Sequence, residues 1–186
     1  MNFFKLYIDT LLKLCNQAIK RNEVPIAAII VDPKTKKIIA KAHNLSVKNK
    51  DPLAHAEILV IRKALKNLKT KRLDNMNIYC SLEPCTMCAA AISLAQIKNV
   101  YFCAEDKESG GVINGTKLAF SNLLKYKFSY YYGFHEKTFS RLLVDFFKKK
   151  KKEKLINNSP PNIFSKIHIF PFYKIKYIKS FISGLF

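Results

Sequence analysis

The segment NIYCSLEPCTMCAAAISLAQIKNVYFCA, residues 77–104, contains two short apolar stretches on either side of an alanine-rich one. Asn77–Leu82 and Asn99–Ala104 combine β-branched and aromatic residues, which predicts strands. Pro84 suits the start of a helix, and residues 85–96 are predicted to form it. Strands separated by a helix imply parallel neighbours joined by a right-handed crossover.

The region before this unit predicts a helix and a β-hairpin. Residues 26–31 form a continuous run of β-branched and small apolar residues, which is typical of a central strand. After the turn at Asp32-Pro33, residues 37–43 are predicted to be its hairpin partner. Apolar side chains recur at helical spacing near the N-terminus and predict an amphipathic first helix: Phe4, Ile8, Leu11, Leu12, Cys15, Ala18 and Ile19.

Two further helices complete the pattern. Asp51-Pro52 is predicted to start one of them, because Asp accepts hydrogen bonds from free N–H groups and Pro fits the first helical position. That helix is expected over residues 53–68, and the last one over residues 138–152. We therefore expect an α/β fold, a three-layer α/β/α domain around a mixed sheet.

The composition indicates one domain with an unusual charge. The chain has 186 residues with 33 Lys+Arg against 13 Asp+Glu, a net charge of +20. Such a surface attracts phosphates, so nucleic acid is the first partner to consider. A compositional bias toward Lys, Asn, Ile, Phe and Tyr would also produce part of this charge. The charge alone therefore does not establish a nucleic-acid partner.

No stretch approaches the ~20 uninterrupted apolar residues of a membrane span, and no secretion signal is evident. We expect a cytoplasmic protein without a membrane partner. Residues 1–154 are predicted to form the folded domain, and residues 155–186 a basic and aromatic extension behind a linker rich in Asn and Pro. The extension is interpreted either as a nucleic-acid arm or, preferably, as an added tail that packs on the domain.

A metal site is indicated by Cys85, Cys88 and His55. The two cysteines are three apart at a helix start, so their side chains share a face and Zn–S bonds of ~2.3 Å can bridge them. A redox pair or half of a structural zinc site remains an alternative for Cys-x-x-Cys alone. His55 adds a third ligand, and three protein ligands are typical of a catalytic zinc site, which keeps a position open for water.

Glu57 lies two residues beyond His55 and is predicted to exchange protons with a water molecule activated by the metal. Its alternative role is to stabilise the helix dipole. The other cysteines and histidines are interpreted as core or ordinary polar residues: Cys15, Cys80, Cys103, His43, His135 and His168.

His-x-Glu followed by Pro-Cys-x-x-Cys is the zinc nucleobase deaminase motif. The wider match, over roughly residues 5–153, resembles the bacterial tRNA-specific adenosine deaminases. The matching segments are Val24-Pro25-Ile26, His43-Asn44 and residues 51–57, 82–89, 107–111 and 142–147.

This resemblance implies deamination of the wobble adenosine to inosine in a tRNA anticodon loop, by a homodimer with one Zn²⁺ per subunit. By position, His55, Cys85 and Cys88 would bind zinc and Glu57 would be catalytic. Asn44 would bind the flipped-out nucleoside, or alternatively serve as a turn residue. The predicted RNA contacts are Phe146, Phe147, Lys148 and Lys149, for which core aromatics and a solvated helix end are the alternative.

Two departures from the family pattern and two rival functions remain. Ala27 stands where the family usually has glycine, and the C-terminal extension lies outside the pattern. A deaminase of a free base or nucleoside, of the cytosine or guanine type, would use the same zinc site. A zinc-stabilised RNA-binding module without catalysis would leave Glu57 and the open metal position without a purpose.

Overall fold

The computed structural model describes residues 2–157. Along the chain, a helix, a β-hairpin and further helices are followed by alternating strands and helices. The helices are α1 (Phe3–Lys20), α2 (Ser46–Asn49), α3 (Ala56–Leu68), α4 (Thr86–Leu94) and α5 (Glu136–Asn157). The strands are β1 (Ala27–Val31), β2 (Ile38–His43), β3 (Asn77–Leu82), β4 (Asn99–Ala104) and β5 (Ser129–Tyr132). A short 3-10 turn spans Leu118–Phe120.

The five strands form one mixed sheet in the order β2-β1-β3-β4-β5. β1 is antiparallel to both β2 and β3, whereas β3 and β4, and β4 and β5, are parallel. The predicted mixed sheet is therefore confirmed. β5 was not predicted, because it is a four-residue edge strand whose side chains are mostly exposed and lack a buried alternating pattern.

Helices cover both faces of this sheet, as the three-layer prediction requires. Along β1 the side chains alternate between the faces: Ala28 and Ile30 pack with α3 and α4, whereas Ile29 lies in the cluster formed with α1 and α5. Phe139 of α5 is 1% exposed and anchors that helix in the second cluster. Two buried layers of core thus enclose the sheet.

The start of α3 differs from the prediction. The helix begins at Ala56, with His55 as its N-cap residue, and not at residue 53. Asp51 does not cap it; instead Oδ1 of Asp51 accepts the N–H of Leu53, two residues on. Asp and Pro favour tight turns as much as helix starts, and here the turn places His55 at the helix end.

The last helix is longer than predicted and continues to Asn157. The division of the chain after residue 154 stays a prediction, and the extension from residue 158 lies outside the described residues. Among residues 2–157, no helix is both long and apolar enough to cross a bilayer.

Candidate metal centre and active site

The first turns of α3 and α4 bring three metal-binding side chains together. His55 and Cys85 are the N-cap residues of the two helices, and both have extended backbone angles that turn the chain into the helix. Nδ1 of His55 lies 3.7 Å from Sγ of Cys85 and 3.6 Å from Sγ of Cys88. Tetrahedral zinc, with bonds of ~2.0 Å to nitrogen and ~2.3 Å to sulfur, places such atoms ~3.6 Å apart. The donor set therefore fits a zinc ion.

The protonation of these groups also favours a metal. A hydrogen bond from Cys88, together with contacts to His55, lowers the pKa of the Cys85 thiol to about 4. The hydrogen bond with Cys85 raises the pKa of His55 above its usual value. A lowered pKa favours the thiolate form of Cys85, which is the form of cysteine that binds a metal ion.

Glu57 lies beside this donor set, in the first turn of α3. The residue is 3% exposed, and its Oε2 atom has no hydrogen-bond partner among the described residues. Burial raises the pKa of its carboxyl group to about 7. A buried carboxyl oxygen without a partner is unfavourable for stability, and groups of this kind occur preferentially at functional sites.

A cavity of about 280 Å³ opens onto these residues. His55, Glu57 and Cys85 line one part of it, and Ile26 and Leu82 add apolar wall. Its volume is near the lower end of the range for ligand pockets, which is ~300–1,000 Å³. A single aromatic base with one exocyclic group suits such a space.

Asn44 follows β2 and lines the same cavity. Its Oδ1 atom accepts the backbone N–H of Ala56 at 2.8 Å. The backbone N–H of Asn44 donates to the carbonyl of Ile26 at 3.0 Å. The amide oxygen is thus occupied by the start of α3, whereas the amide NH₂ group has no protein partner among the described contacts. The two roles weighed for Asn44, in a turn and in substrate binding, are geometrically compatible.

Two buried glutamates that the sequence analysis did not single out also line the cavity, Glu23 and Glu83. The side chain of Glu23, 1% exposed, accepts the backbone N–H groups of Val47 and Lys48 at 3.1 and 2.7 Å. Glu83, 2% exposed, accepts hydrogen bonds from the loop after β4.

The remaining cysteines and histidines do not join the metal site. Cys15, Cys80 and Cys103 are buried in the core. His43 is buried as well, and its Nε2 atom lies 3.2 Å from Nη1 of Arg21. In the part of the chain that is described, His55, Cys85 and Cys88 form the one group of metal-binding residues. His135 is exposed, and His168 lies outside the described residues.

The predicted RNA-contact residues all lie on α5 but differ in exposure. Phe146 is 8% exposed, whereas Phe147 is 55% exposed and Lys148 and Lys149 are exposed beside it. None of the four lines the cavity. Their contact with RNA remains a prediction, for which Phe147 and the two lysines have the required exposure.

Ala27, at the position where the family usually has glycine, is fully buried. Its side chain belongs to the core cluster under α1 and is not part of the cavity wall. The backbone N–H of Ala27 donates to Oγ of Ser81 at 2.9 Å. The extra methyl group therefore fills the core and leaves the cavity unchanged.

The comparisons with known proteins agree with this architecture. Residues 3–151 match the family of MafB19-like deaminases. A tRNA-specific adenosine deaminase of Aquifex aeolicus is 41% identical over 153 residues, 82% of this chain and 95% of that protein. The chain belongs to the tRNA-specific adenosine deaminase family.

Solved structures of two kinds of deaminase resemble this chain. A structure from work on A-to-I editing by tRNA deaminases at the wobble position has a TM-score of 0.72 and 36% identity, covering 75% of this chain and 99% of that one. A guanine deaminase of Bacillus subtilis is also 36% identical, with a TM-score of 0.51 over 56% of this chain and 66% of that one. The predicted three-layer α/β/α domain is therefore confirmed, and it has the cytidine-deaminase-like fold.

Proposed function

We propose that this chain hydrolytically deaminates the wobble adenosine of a tRNA anticodon loop and produces inosine. The observation that supports this reaction most directly is the buried Glu57 carboxyl with an unpartnered oxygen, next to three metal-binding atoms and a base-sized cavity. The relatives named as tRNA-specific adenosine deaminases supply the substrate class.

The proposed cofactor is one Zn²⁺ per subunit, held by His55, Cys85 and Cys88. Their donor atoms lie within 4.8 Å of one another, and imidazole with two sulfurs is a common zinc ligand set. When bound, zinc supplies Lewis-acid activation of a water molecule.

Glu57 is the proposed proton carrier. Its carboxylate takes a proton from the attacking water and delivers it to N1 of adenine, while the water oxygen bonds to C6. It then transfers the second proton to the exocyclic amine, which leaves as ammonia, so that one water is consumed for each ammonia released. In the chain without metal, burial raises the pKa of this carboxyl group to about 7, so the group binds a proton more readily than an exposed glutamate.

Asn44 is the proposed substrate-binding residue. Because its oxygen accepts the N–H of Ala56, the NH₂ group of this cavity-lining residue is the part of the amide left to bind a substrate. An amide NH₂ donates to ring nitrogens or ribose oxygens. The base must leave its stack to reach the cavity, as an unpaired anticodon nucleotide can.

The tRNA is proposed to bind through basic surface, including Phe147, Lys148 and Lys149 of α5. Aromatic rings stack on bases, and lysines neutralise phosphates. A homodimer and a cytoplasmic location, where tRNA is modified, are parts of the same proposal. The four predicted contact residues of α5 include Phe146, whose ring is mostly covered.

The test is inosine formation on an arginine-tRNA anticodon stem-loop with adenosine at the wobble position, using zinc-loaded wild type and Glu57→Gln. Glu57→Gln keeps the shape of the side chain, and its rate is expected to fall by ~10²–10⁴. Free guanine, cytosine and adenosine are assayed in parallel by ammonia release. Turnover of a free base with none of the stem-loop would establish the free-base deaminase instead. RNA binding without any turnover, and unaffected by Glu57→Gln, would indicate a binding module.

A further inference from the structure

Glu83 is a buried carboxylate that accepts five hydrogen bonds. Its Oε1 atom accepts the backbone N–H groups of Val112, Ile113 and Asn114 at 3.1, 2.9 and 2.9 Å. Its Oε2 atom accepts the N–H of Asp106 at 3.1 Å and the side-chain amide of Asn114 at 2.7 Å. None of the ion pairs found within residues 2–157 includes Glu83. The charge is therefore stabilised by amide dipoles.

The loop that Glu83 holds is in close contact with the segment that contains Cys85. The N–H of Gly111 donates to the carbonyl of Pro84 at 2.8 Å, and Gly110 forms a β-bridge with Cys85. A Cβ atom on Gly111 would lie 2.6 Å from the carbonyl carbon of Cys85, and one on Gly110 would lie 2.5 Å from Cδ of Glu83. Only glycine allows this approach.

The same loop forms part of the cavity wall through Asp106 and Ser109. The carboxylate of Asp106 in turn accepts the N–H of Ser109 at 2.9 Å, which makes this stretch a compact turn. Glu83 also borders the cavity, but both of its oxygens are bonded to protein donors. Its influence on a substrate must therefore pass through the loop.

We propose that Glu83 is a positioning residue, which holds residues 106–114 against the Cys85 turn and thereby fixes the part of the cavity wall that Asp106 and Ser109 form. This inference rests on the proposed deaminase function. A carboxylate is required because hydrogen-bond donors face both of its oxygens. In Glu83→Gln the NH₂ group would replace one oxygen and face either the three donors now bonded to Oε1 or the two now bonded to Oε2. Unpaired buried N–H groups would then release the loop.

The effect on catalysis follows from what the loop does and does not contact. His55, Cys85 and Cys88 are placed by the starts of α3 and α4, so zinc content is expected to remain at one per chain in Glu83→Gln. The substrate loses a fixed wall, and KM for the stem-loop is expected to rise by ~10-fold or more. The value of kcat is expected to change by less than the value of KM.

The experiment combines hydrogen–deuterium exchange, zinc analysis and stem-loop kinetics on the zinc-loaded enzyme. Glu83→Gln is compared with Glu108→Gln, which removes the same charge from an exposed side chain of the same loop. Exchange over residues 105–115 is expected to become faster by ~10-fold or more in Glu83→Gln alone, with β3 still protected. If Glu83→Gln fails to fold, Asn114→Ala removes one of the five hydrogen bonds and should give the same local effect on a smaller scale.

Different results separate the positioning role of Glu83 from the proposed deaminase function. Unchanged loop exchange overturns the proposal, as does loss of zinc with a fall in kcat at constant KM. Faster exchange of β3 to the same extent as the loop would also overturn it, because Glu83 would then support the whole fold. Faster loop exchange in an enzyme whose wild type makes no inosine would refute the proposed function but keep the loop assignment.

Discussion

The amide oxygen of Asn44 accepts the backbone N–H of Ala56 at 2.8 Å, which connects the end of β2 to the first turn of α3. Ala56 stands between His55 and Glu57, so this bond fixes the backbone between the proposed zinc ligand and the proposed proton carrier. Substitutions at Asn44 can therefore separate a structural from a substrate-binding contribution.

Asn44→Asp and Asn44→Ala are expected to differ. Asp keeps an oxygen for the N–H of Ala56 and loses the NH₂ group, so the melting temperature should change little while kcat/KM falls by ~10-fold or more. Ala loses both groups and should also lose ~1 kcal/mol of stability. Thermal unfolding and inosine formation measure the two effects. Full activity in Asn44→Asp would show that the amide donor is not used.

Glu57 is expected to make the stability of the metal-free protein depend on pH. Its pKa of about 7 in the folded chain lies above the usual 4.5. Between these values the folded state keeps a proton that the unfolded state releases, so stability falls as pH rises through this window. Because Gln cannot ionise, Glu57→Gln should be more stable than wild type by up to ~3 kcal/mol above pH ~7, and by little near pH ~4.

The measurement is urea unfolding of both proteins after chelation, across that pH range. Glu108→Gln, on an exposed side chain, serves as the control for a lost charge. If Glu57→Gln raised the free energy of unfolding equally at both ends of the pH range, the gain would come from packing and not from ionisation.

Zinc removal is expected to abolish activity and to lower stability, because the three ligands join the starts of α3 and α4. Cys88→Ala should lose the metal, whereas Cys80→Ala, a substitution at a core cysteine of β3, should be less stable yet retain one zinc per chain. Elemental analysis, melting temperature and inosine formation provide the three readouts. An active apo-protein would contradict the proposed mechanism.

Local patterns were enough to predict most of the fold. The apolar runs of β1, β3 and β4 are buried in the sheet, and the spacing of Cys85 and Cys88 in one helical turn fixed their common face. His55, 30 residues earlier in the chain, was predicted as the third ligand from its imidazole and its expected place at the start of the other helix, and the motif resemblance agrees with it. Asp51-Pro52 was misinterpreted because these residues favour turns and helix starts alike.

The loop anchors could not be predicted in the same way. Glu23 and Glu83 bond to backbone N–H groups that lie 23 to 31 residues further along the chain. Every residue except proline offers such a donor, so the partner segments have no distinctive composition. Only the folded chain shows which N–H groups are left for these carboxylates.

The two phenylalanines of α5 provide a test of the RNA surface. Phe147→Ala removes an exposed ring and should leave the melting temperature unchanged while weakening stem-loop binding, since stacking on one base contributes ~1–3 kcal/mol. Phe146→Ala removes a covered ring and should instead cost ~3 kcal/mol of stability.

In Lys148→Ala the salt dependence of stem-loop binding should become shallower, with the slope of log K against log [salt] reduced by ~0.7–0.9. Binding titrations at several salt concentrations measure both changes, and a flat salt response of the wild type would remove the phosphate contacts from the proposal.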